Sequence, residues 1–192
     1  MLLRISITLL LLAVAAVPRV PADPRYAMED SSGSSCVAAA VSERSSFQVV
    51  AYYDYIPGAY VGGSYEFRLA GIPPEWSATA IPNPEAVVVL GDPLGGGTNV
   101  GFANCSPGED SRVVLFTIEV QPTSAEVISL TLEAHTLPSN LNFDCPHMWF
   151  CAPVFGAICF PPEALGTIRS DGGSCVVSVR DEAWTDVKHL YR

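Results

Sequence analysis

Hydrophobic and polar positions alternate along short stretches of this chain, which is the period-two pattern of β-strands. In residues 64–69, Tyr65, Phe67 and Leu69 share one face, while Glu66 and Arg68 share the other. Other stretches either alternate in the same way or are short apolar runs between turn residues: 47–53, 86–90, 98–103, 112–121 and 126–136. The pattern predicts strands that each bury one face against a core.

The two clearest strands are neighbours in the sequence. The even positions from 114 to 120 are apolar in the first, and those from 128 to 134 are apolar in the second. The linker, residues 122–125, is short and contains Pro122. We therefore expect these two strands to pair as an antiparallel hairpin.

Seven or eight short strands at regular spacing predict an all-β fold, namely an antiparallel two-sheet sandwich of immunoglobulin-like type. Sixteen prolines and fifteen glycines argue against long helices, and no helical crossover pattern separates the strands. The chain end differs. Residues 181–192 predict a short C-terminal helix, with Trp184, Val187 and Tyr191 on one face. This tail either packs on the sandwich or serves as an exposed docking or sorting tail.

The chain divides into four segments. Residues 1–22 predict a signal peptide, because Arg4 precedes an apolar run and small residues precede Asp23. An uncleaved N-terminal anchor is the alternative. Residues 23–35 are expected to be a flexible leader, 36–180 the β-sandwich domain and 181–192 the helical tail. The expected location is outside the cytoplasm, either extracellular or periplasmic, with no membrane attachment after cleavage.

The charge balance limits the choice of partners. The net charge is −10, and removal of residues 1–22 leaves 8 basic against 20 acidic residues, a net charge of −12. Nucleic acids and anionic membranes attract positive charge, so neither is an expected partner. The acidity favours either cations and basic partners or simple solubility.

Six cysteines follow the predicted signal, and an even count in an exported chain is typical of disulfides. The preferred pairs are Cys36–Cys175, Cys105–Cys145 and Cys151–Cys159. Residues 145–159 are expected to be an irregular loop that these bridges hold. Zinc ligation by three of these cysteines with His147 is an alternative, but the spacing matches no zinc pattern. A nucleophilic cysteine is a second alternative.

Aromatic residues are the best candidates for a binding surface, because amphipathic rings suit protein or carbohydrate contacts. The candidates fall in two clusters: Tyr52, Tyr53, Tyr55 and Tyr60 in the first, and His147 and Trp149 in the second. The alternative is that these rings belong to the core and its rim. No metal or cofactor is expected.

Two resemblances follow from particular residues. Leu115 to Thr136, the run from His135 to Pro146, the later cysteines and the tail Trp184-x-x-Val187-Lys188-x-Leu190-Tyr191 resemble a group of uncharacterised secreted bacterial proteins. The strand pattern also resembles the cohesin-type, immunoglobulin-like sandwich. The second resemblance implies a fold more than a function, and no functional residue is carried over from either group.

The sequence therefore predicts a non-catalytic, secreted β-sandwich module. It would bind an extracellular protein or a glycan, or contribute to a surface assembly. The alternative is a secreted hydrolase whose site combines dispersed carboxylates with His135 or His147. Buried histidines on a flat surface would favour the binding module, and a deep pocket that holds a histidine and carboxylates would favour the hydrolase.

Overall fold

The structure is a computed structural model that describes residues 24–52, 63–103, 112–140, 142, 144–150 and 156–175. Every regular element within these ranges is a strand. The strands are β1 Arg25–Glu29, β2 Cys36–Ala38, β3 Ser45–Tyr52, β4 Ser64–Ala70, β5 Ser77–Pro82, β6 Ala86–Asp92, β7 Gly97–Phe102, β8 Arg112–Gln121, β9 Val127–Glu133, β10 His147–Phe150, β11 Gly156–Cys159 and β12 Glu163–Arg169.

These strands form two sheets, which confirms the all-β, two-sheet prediction. The small sheet has the order β1-β3-β8-β5, and all its pairs are antiparallel. The large sheet has the order β11-β10-β4-β9-β12-β2, with β7 also paired to β4 and β6 paired to β7. The pairing of β2 with β12 is parallel.

The core lies between the two sheets, where the alternating positions of the strands meet. Tyr65, Phe67 and Leu69 are buried as the sequence pattern predicts. Across the core, the ring of Phe116 on β8 lies 6.1 Å from the ring of Phe67 in an edge-on arrangement. Each such large side chain contributes about 1.5–3 kcal/mol when fully buried, so this layer joins the two sheets.

A bulge in β8 changes its predicted apolar face. Val49 pairs with Phe116 while Val50 pairs with Val114, so Leu115 has no partner in register. The extra residue reverses the alternation, and Leu115 and Phe116 are both buried. The prediction that Val114 shares a face with Phe116 is therefore wrong, because a strict period of two does not allow for a bulge.

The predicted hairpin of β8 with β9 is wrong. The first strand lies in the small sheet between β3 and β5, and the second lies in the large sheet between β4 and β12. Residues 122–126 cross from one sheet to the other. Two strands with one apolar face each bury it equally well across a core or side by side, so the pattern did not distinguish these arrangements.

Two predicted irregular segments contain strands. Within the expected leader, β1 pairs with β3 and buries Tyr26 and Met28. The polar run that follows is a turn, in which the Asp30 carboxylate accepts hydrogen bonds from the backbone N–H groups of Ser32 and Ser34. Within the expected loop at 145–159, β10 and β11 form an antiparallel hairpin.

The four described cysteines form two disulfides. Cys36 joins Cys175, the pair preferred from the sequence, with a Cα–Cα distance of 5.5 Å. Cys145 joins Cys159, with a Cα–Cα distance of 5.6 Å, so the expected pairs Cys105–Cys145 and Cys151–Cys159 are wrong. The β10–β11 hairpin explains the correction, because its register places position 159 opposite His147. Cys105 and Cys151 themselves lie outside the described residues.

Several predictions concern other parts of the chain. The signal peptide over 1–22 and the C-terminal helix over 181–192 lie outside the described residues. Among the residues that are described, no helix is long and apolar enough to cross a membrane.

Candidate binding surface

Strand β6 exposes four consecutive aliphatic side chains. Val87, Val88, Val89 and Leu90 are 61%, 43%, 38% and 63% exposed. The strand pairs with β7 on one edge, and no other strand of the described ranges pairs with it. Contiguous exposed aliphatic groups on an unpaired strand edge are unfavourable in water unless a partner covers them. We call these four residues the β6 patch.

A groove opens beside the β6 patch, between the edges of the two sheets. It has a volume of about 480 Å³, and its walls come from β5, β6 and the connections next to them. Its apolar lining includes Trp76, Ala80, Pro82, Val89, Leu94 and Phe116. The Trp76 side chain is itself buried, and its indole N–H donates to the Ser124 hydroxyl at 3.1 Å. The groove therefore has apolar side chains along its walls with polar surface between them, and it opens at the edge of the sandwich.

The turn from β6 to β7 fixes one end of this surface. Gly91 and Gly97 have φ values of +84° and +118°, which L side chains rarely adopt. A Cβ at Gly97 would lie 2.6 Å from the His135 ring, so the ring packs directly on this glycine. The Asp92 carboxylate caps the turn by accepting from the Leu94 backbone N–H at 2.9 Å.

Charge at the β6 patch is acidic. Glu85 precedes the strand and Asp92 ends it, and both are exposed. Asp92 is the only charged residue among the described residues that line the groove. The surface thus presents an apolar centre with a negative charge at each end.

The outer face of the large sheet continues from β6 as a polar network. The buried Glu66 carboxylate accepts from the Asn99 amide at 3.0 Å and from the Ser139 backbone N–H at 3.0 Å. Ser64 donates its hydroxyl proton to the Asn99 side-chain oxygen at 2.9 Å. These bonds hold the segment after β9 over the sheet, so the structure uses Glu66 as an anchor.

The predicted pair His147 and Trp149 lies on this same face, on β10. Trp149 is 37% exposed, and its ring stands edge-on to the His147 ring at 6.1 Å. His147 is fully buried beside Glu66, its cross-strand neighbour. The imidazole is therefore covered by the protein itself, and a role of His147 in binding stays a prediction. A role of Trp149 in binding stays a prediction.

The predicted tyrosine cluster is only partly described. Tyr52 ends β3 in the small sheet, and its hydroxyl donates to the Glu29 carboxylate. The Arg25 guanidinium lies over its ring at 4.8 Å, and partial burial raises the pKa of Tyr52, with the Glu29 hydrogen bond adding to the effect. The structure does not bring Tyr52 together with Trp149, since they lie on different sheets. Tyr53, Tyr55 and Tyr60 lie outside the described residues.

Neither histidine named in the hydrolase hypothesis lines the groove beside the β6 patch. Besides the buried His147, His135 packs on Gly97, and its Nδ1 accepts from the Leu137 backbone N–H at 2.9 Å. Two of the alternative zinc ligands, Cys145 and Cys159, are joined to each other. Both features favour a structural use of these residues over acid–base or metal chemistry.

Sequence reasoning identified β6 as a strand but missed its exposure. A short apolar run bounded by turn residues usually indicates a strand buried on both faces. The one available signal was charge, because Glu85 and Asp92 bracket the run. Placement at the sheet edge depends on long-range pairing, which local pattern does not encode.

No protein-family model matches this sequence, and a comparison with curated proteins finds no match. Among solved structures, the chain is similar to a cohesin module of a family 33 glycoside hydrolase from Clostridium perfringens. The two share 8% identity, the alignment covers 78% of this chain and 96% of that chain, and the TM-score is 0.49. It is similar to a type I cohesin–dockerin complex from Clostridium thermocellum, with 9% identity, coverage of 77% and 99%, and a TM-score of 0.49. A non-cellulosomal cohesin from Archaeoglobus fulgidus gives 14% identity, coverage of 85% and 98%, and a TM-score of 0.45. At these values the likeness assigns no partner, and the function must be argued from the surface of the chain.

Proposed function

We propose that this protein is a non-catalytic module that binds a protein partner at the β6 patch. The observation that carries the proposal is the exposure of Val87, Val88, Val89 and Leu90 on a strand that pairs with one neighbour, β7, among the described strands. Exposed aliphatic surface of this kind marks protein interaction sites, because burial of it against a partner recovers the hydrophobic free energy.

The chemistry of the patch favours a protein over a glycan. Sugar-binding surfaces present exposed aromatic rings and hydrogen-bonding groups, whereas this patch is aliphatic. Of the aromatic residues predicted for binding, Tyr52 is engaged by Glu29 and Arg25. The acidic residues Glu85 and Asp92 suit a partner with basic groups around an apolar centre.

We further propose that the module acts outside the cytoplasm. The disulfides Cys36–Cys175 and Cys145–Cys159 support this location, because disulfides persist in oxidising compartments. Peptide mapping of the native chain under non-reducing conditions tests it. Free thiols at these four positions would contradict the proposed location.

A capture experiment with matched variants tests the binding function. Residues 23–192, which we call the mature chain, serve as bait in the native source, beside a Val87→Thr/Leu90→Thr variant that places a β-branched residue at both positions. Val127→Thr is the control, because Val127 is also exposed and lies in the same sheet on β9. We expect the wild type and the control to retain the same protein, and the double variant to lose it.

Equal retention of that protein by the double variant would show that the β6 patch is not the site. All three proteins should unfold at closely similar urea concentrations, because exposed side chains alter stability by about 0.5 kcal/mol or less. This check separates lost binding from lost folding.

A further inference from the structure

We propose that β6 binds its partner as an added strand: an extended apolar segment with basic residues at its ends pairs with the edge of β6 that no described strand occupies, and it fills the neighbouring groove. This inference rests on the protein-binding function proposed above and specifies its mode. The occupant is a segment of alternating aliphatic and polar residues.

The backbone of β6 is paired along one edge only among the described strands. Its pairing with β7 runs from Ala86 opposite Phe102 to Asp92 opposite Gly97. Because one edge of a strand pairs with one neighbour, the backbone groups on the other edge have no strand partner in the described part of the chain. An extended peptide pairs with such an edge through main-chain hydrogen bonds.

The groove lies where side chains of an added strand would point. A strand added beside β6 continues the large sheet, so every second side chain of the added strand points toward the small sheet. That direction leads into the space of about 480 Å³ that Ala80, Val89 and Phe116 line. Pockets for alternate side chains give specificity to strand addition, and this groove suits valine-sized groups.

The negative charges at the ends of β6 favour a foreign basic segment over a second copy of this chain. Antiparallel pairing of β6 with β6 of another copy would place Glu85 of one chain beside Asp92 of the other. Like charges across a strand pair are unfavourable, and each copy carries a net charge of −10. A foreign segment with lysine or arginine at both ends removes this repulsion and adds attraction.

A synthetic peptide tests the mode directly. The probe is Lys-Val-Thr-Val-Thr-Val-Lys, which has the same length as the seven residues of β6. The first control peptide has the same composition with the three valines adjacent, and the second has glutamates in place of the lysines. Fluorescence anisotropy of labelled peptides gives the affinities for the mature chain.

We expect the alternating lysine-ended peptide to bind more tightly than either control. Ala80→Phe places a ring in the groove from β5 without altering β6, and it should weaken binding by about tenfold, which corresponds to one buried valine side chain. Glu85→Lys should weaken the lysine-ended peptide and improve the glutamate-ended one. Hydrogen exchange of residues 86–92 should slow in the complex, because strand addition protects the edge amides.

Strand addition would be overturned by equal binding of the alternating and adjacent-valine peptides, by unchanged binding to Ala80→Phe, or by unchanged exchange in β6. A concentration-dependent dimer that is lost in Val87→Thr/Leu90→Thr would also overturn it, since a second copy would then be the occupant. If the peptide fails while capture of the native partner still depends on Val87 and Leu90, the binding function stands and only the mode is wrong.

Discussion

Removal of the Cys36–Cys175 disulfide should destabilise the domain more than removal of Cys145–Cys159. The first bridge links β2, at the edge of the large sheet, to a residue 139 positions later. The second closes the short β10–β11 hairpin over 14 positions. The two bridges therefore differ tenfold in the length of chain that they close, although their Cα–Cα distances are similar.

The loop lengths give the magnitudes. A disulfide stabilises a fold largely because it restricts the unfolded chain, and the effect grows with the logarithm of the loop length. For a separation of 139 residues the loop-closure free energy is about 5 kcal/mol, and for 14 residues it is about 3 kcal/mol. Domains of this size have unfolding free energies of about 5–15 kcal/mol, so loss of the longer bridge consumes much of the total.

Urea denaturation of two double variants measures the difference. Cys36→Ala/Cys175→Ala should lower the free energy of unfolding by about 2 kcal/mol more than Cys145→Ala/Cys159→Ala. Where the first variant lacks a folded baseline in buffer, a series in sucrose restores one, because excluded osmolytes favour the compact state. A larger loss from the short bridge, or equal losses, would refute the loop-length reasoning.

Three further predictions concern the large sheet and the core. Glu66→Ala should lower the free energy of unfolding by about 1–3 kcal/mol, since it removes the hydrogen bonds that the Asn99 amide and the Ser139 N–H donate to a charged group. Amide exchange at Ser139 should accelerate, and unchanged exchange would contradict the anchor role. Burial raises the pKa of Tyr65 above its unfolded value of about 10. The stability linked to that shift is complete below about pH 10 and is lost at higher pH. The free energy of unfolding, measured by urea denaturation, should therefore fall less steeply above about pH 10 in Tyr65→Phe than in the wild type. Gly97→Ala should lower the free energy of unfolding by about 1–3 kcal/mol, because a side chain at this position has an unfavourable positive φ and collides with the His135 ring. An unaltered thermal midpoint would argue against this packing.

Local pattern predicted the strands well where alternation is regular. The stretch 64–69 corresponds to β4, and 112–121 coincides with β8. Side-chain alternation is a local property that a period of two captures. It failed at Leu115, where a bulge depends on the partner strand, and at 145–159, where proline and aromatic residues conceal a short hairpin.

Sheet assignment and exposure could not be predicted from the sequence. Whether β9 lies beside β8 or across the core from it depends on contacts between distant residues. The same limit applies to β6, whose apolar run indicates burial while its position at the sheet edge exposes it. Glu66 is the opposite case, because its charge predicts exposure and yet the side chain is buried. The segment that contains Ser139 covers the outer face on which this carboxylate lies.

Site-specific photo-cross-linking at the β6 patch tests the central claim most directly. A photoreactive benzoylphenylalanine replaces Leu90 in one mature chain and Val127 in another, and both are irradiated in the native source. Protein binding at the patch predicts a covalent adduct with one partner protein from position 90 and none with that protein from position 127. The absence of an adduct at position 90, or the same adduct from both positions, would contradict it.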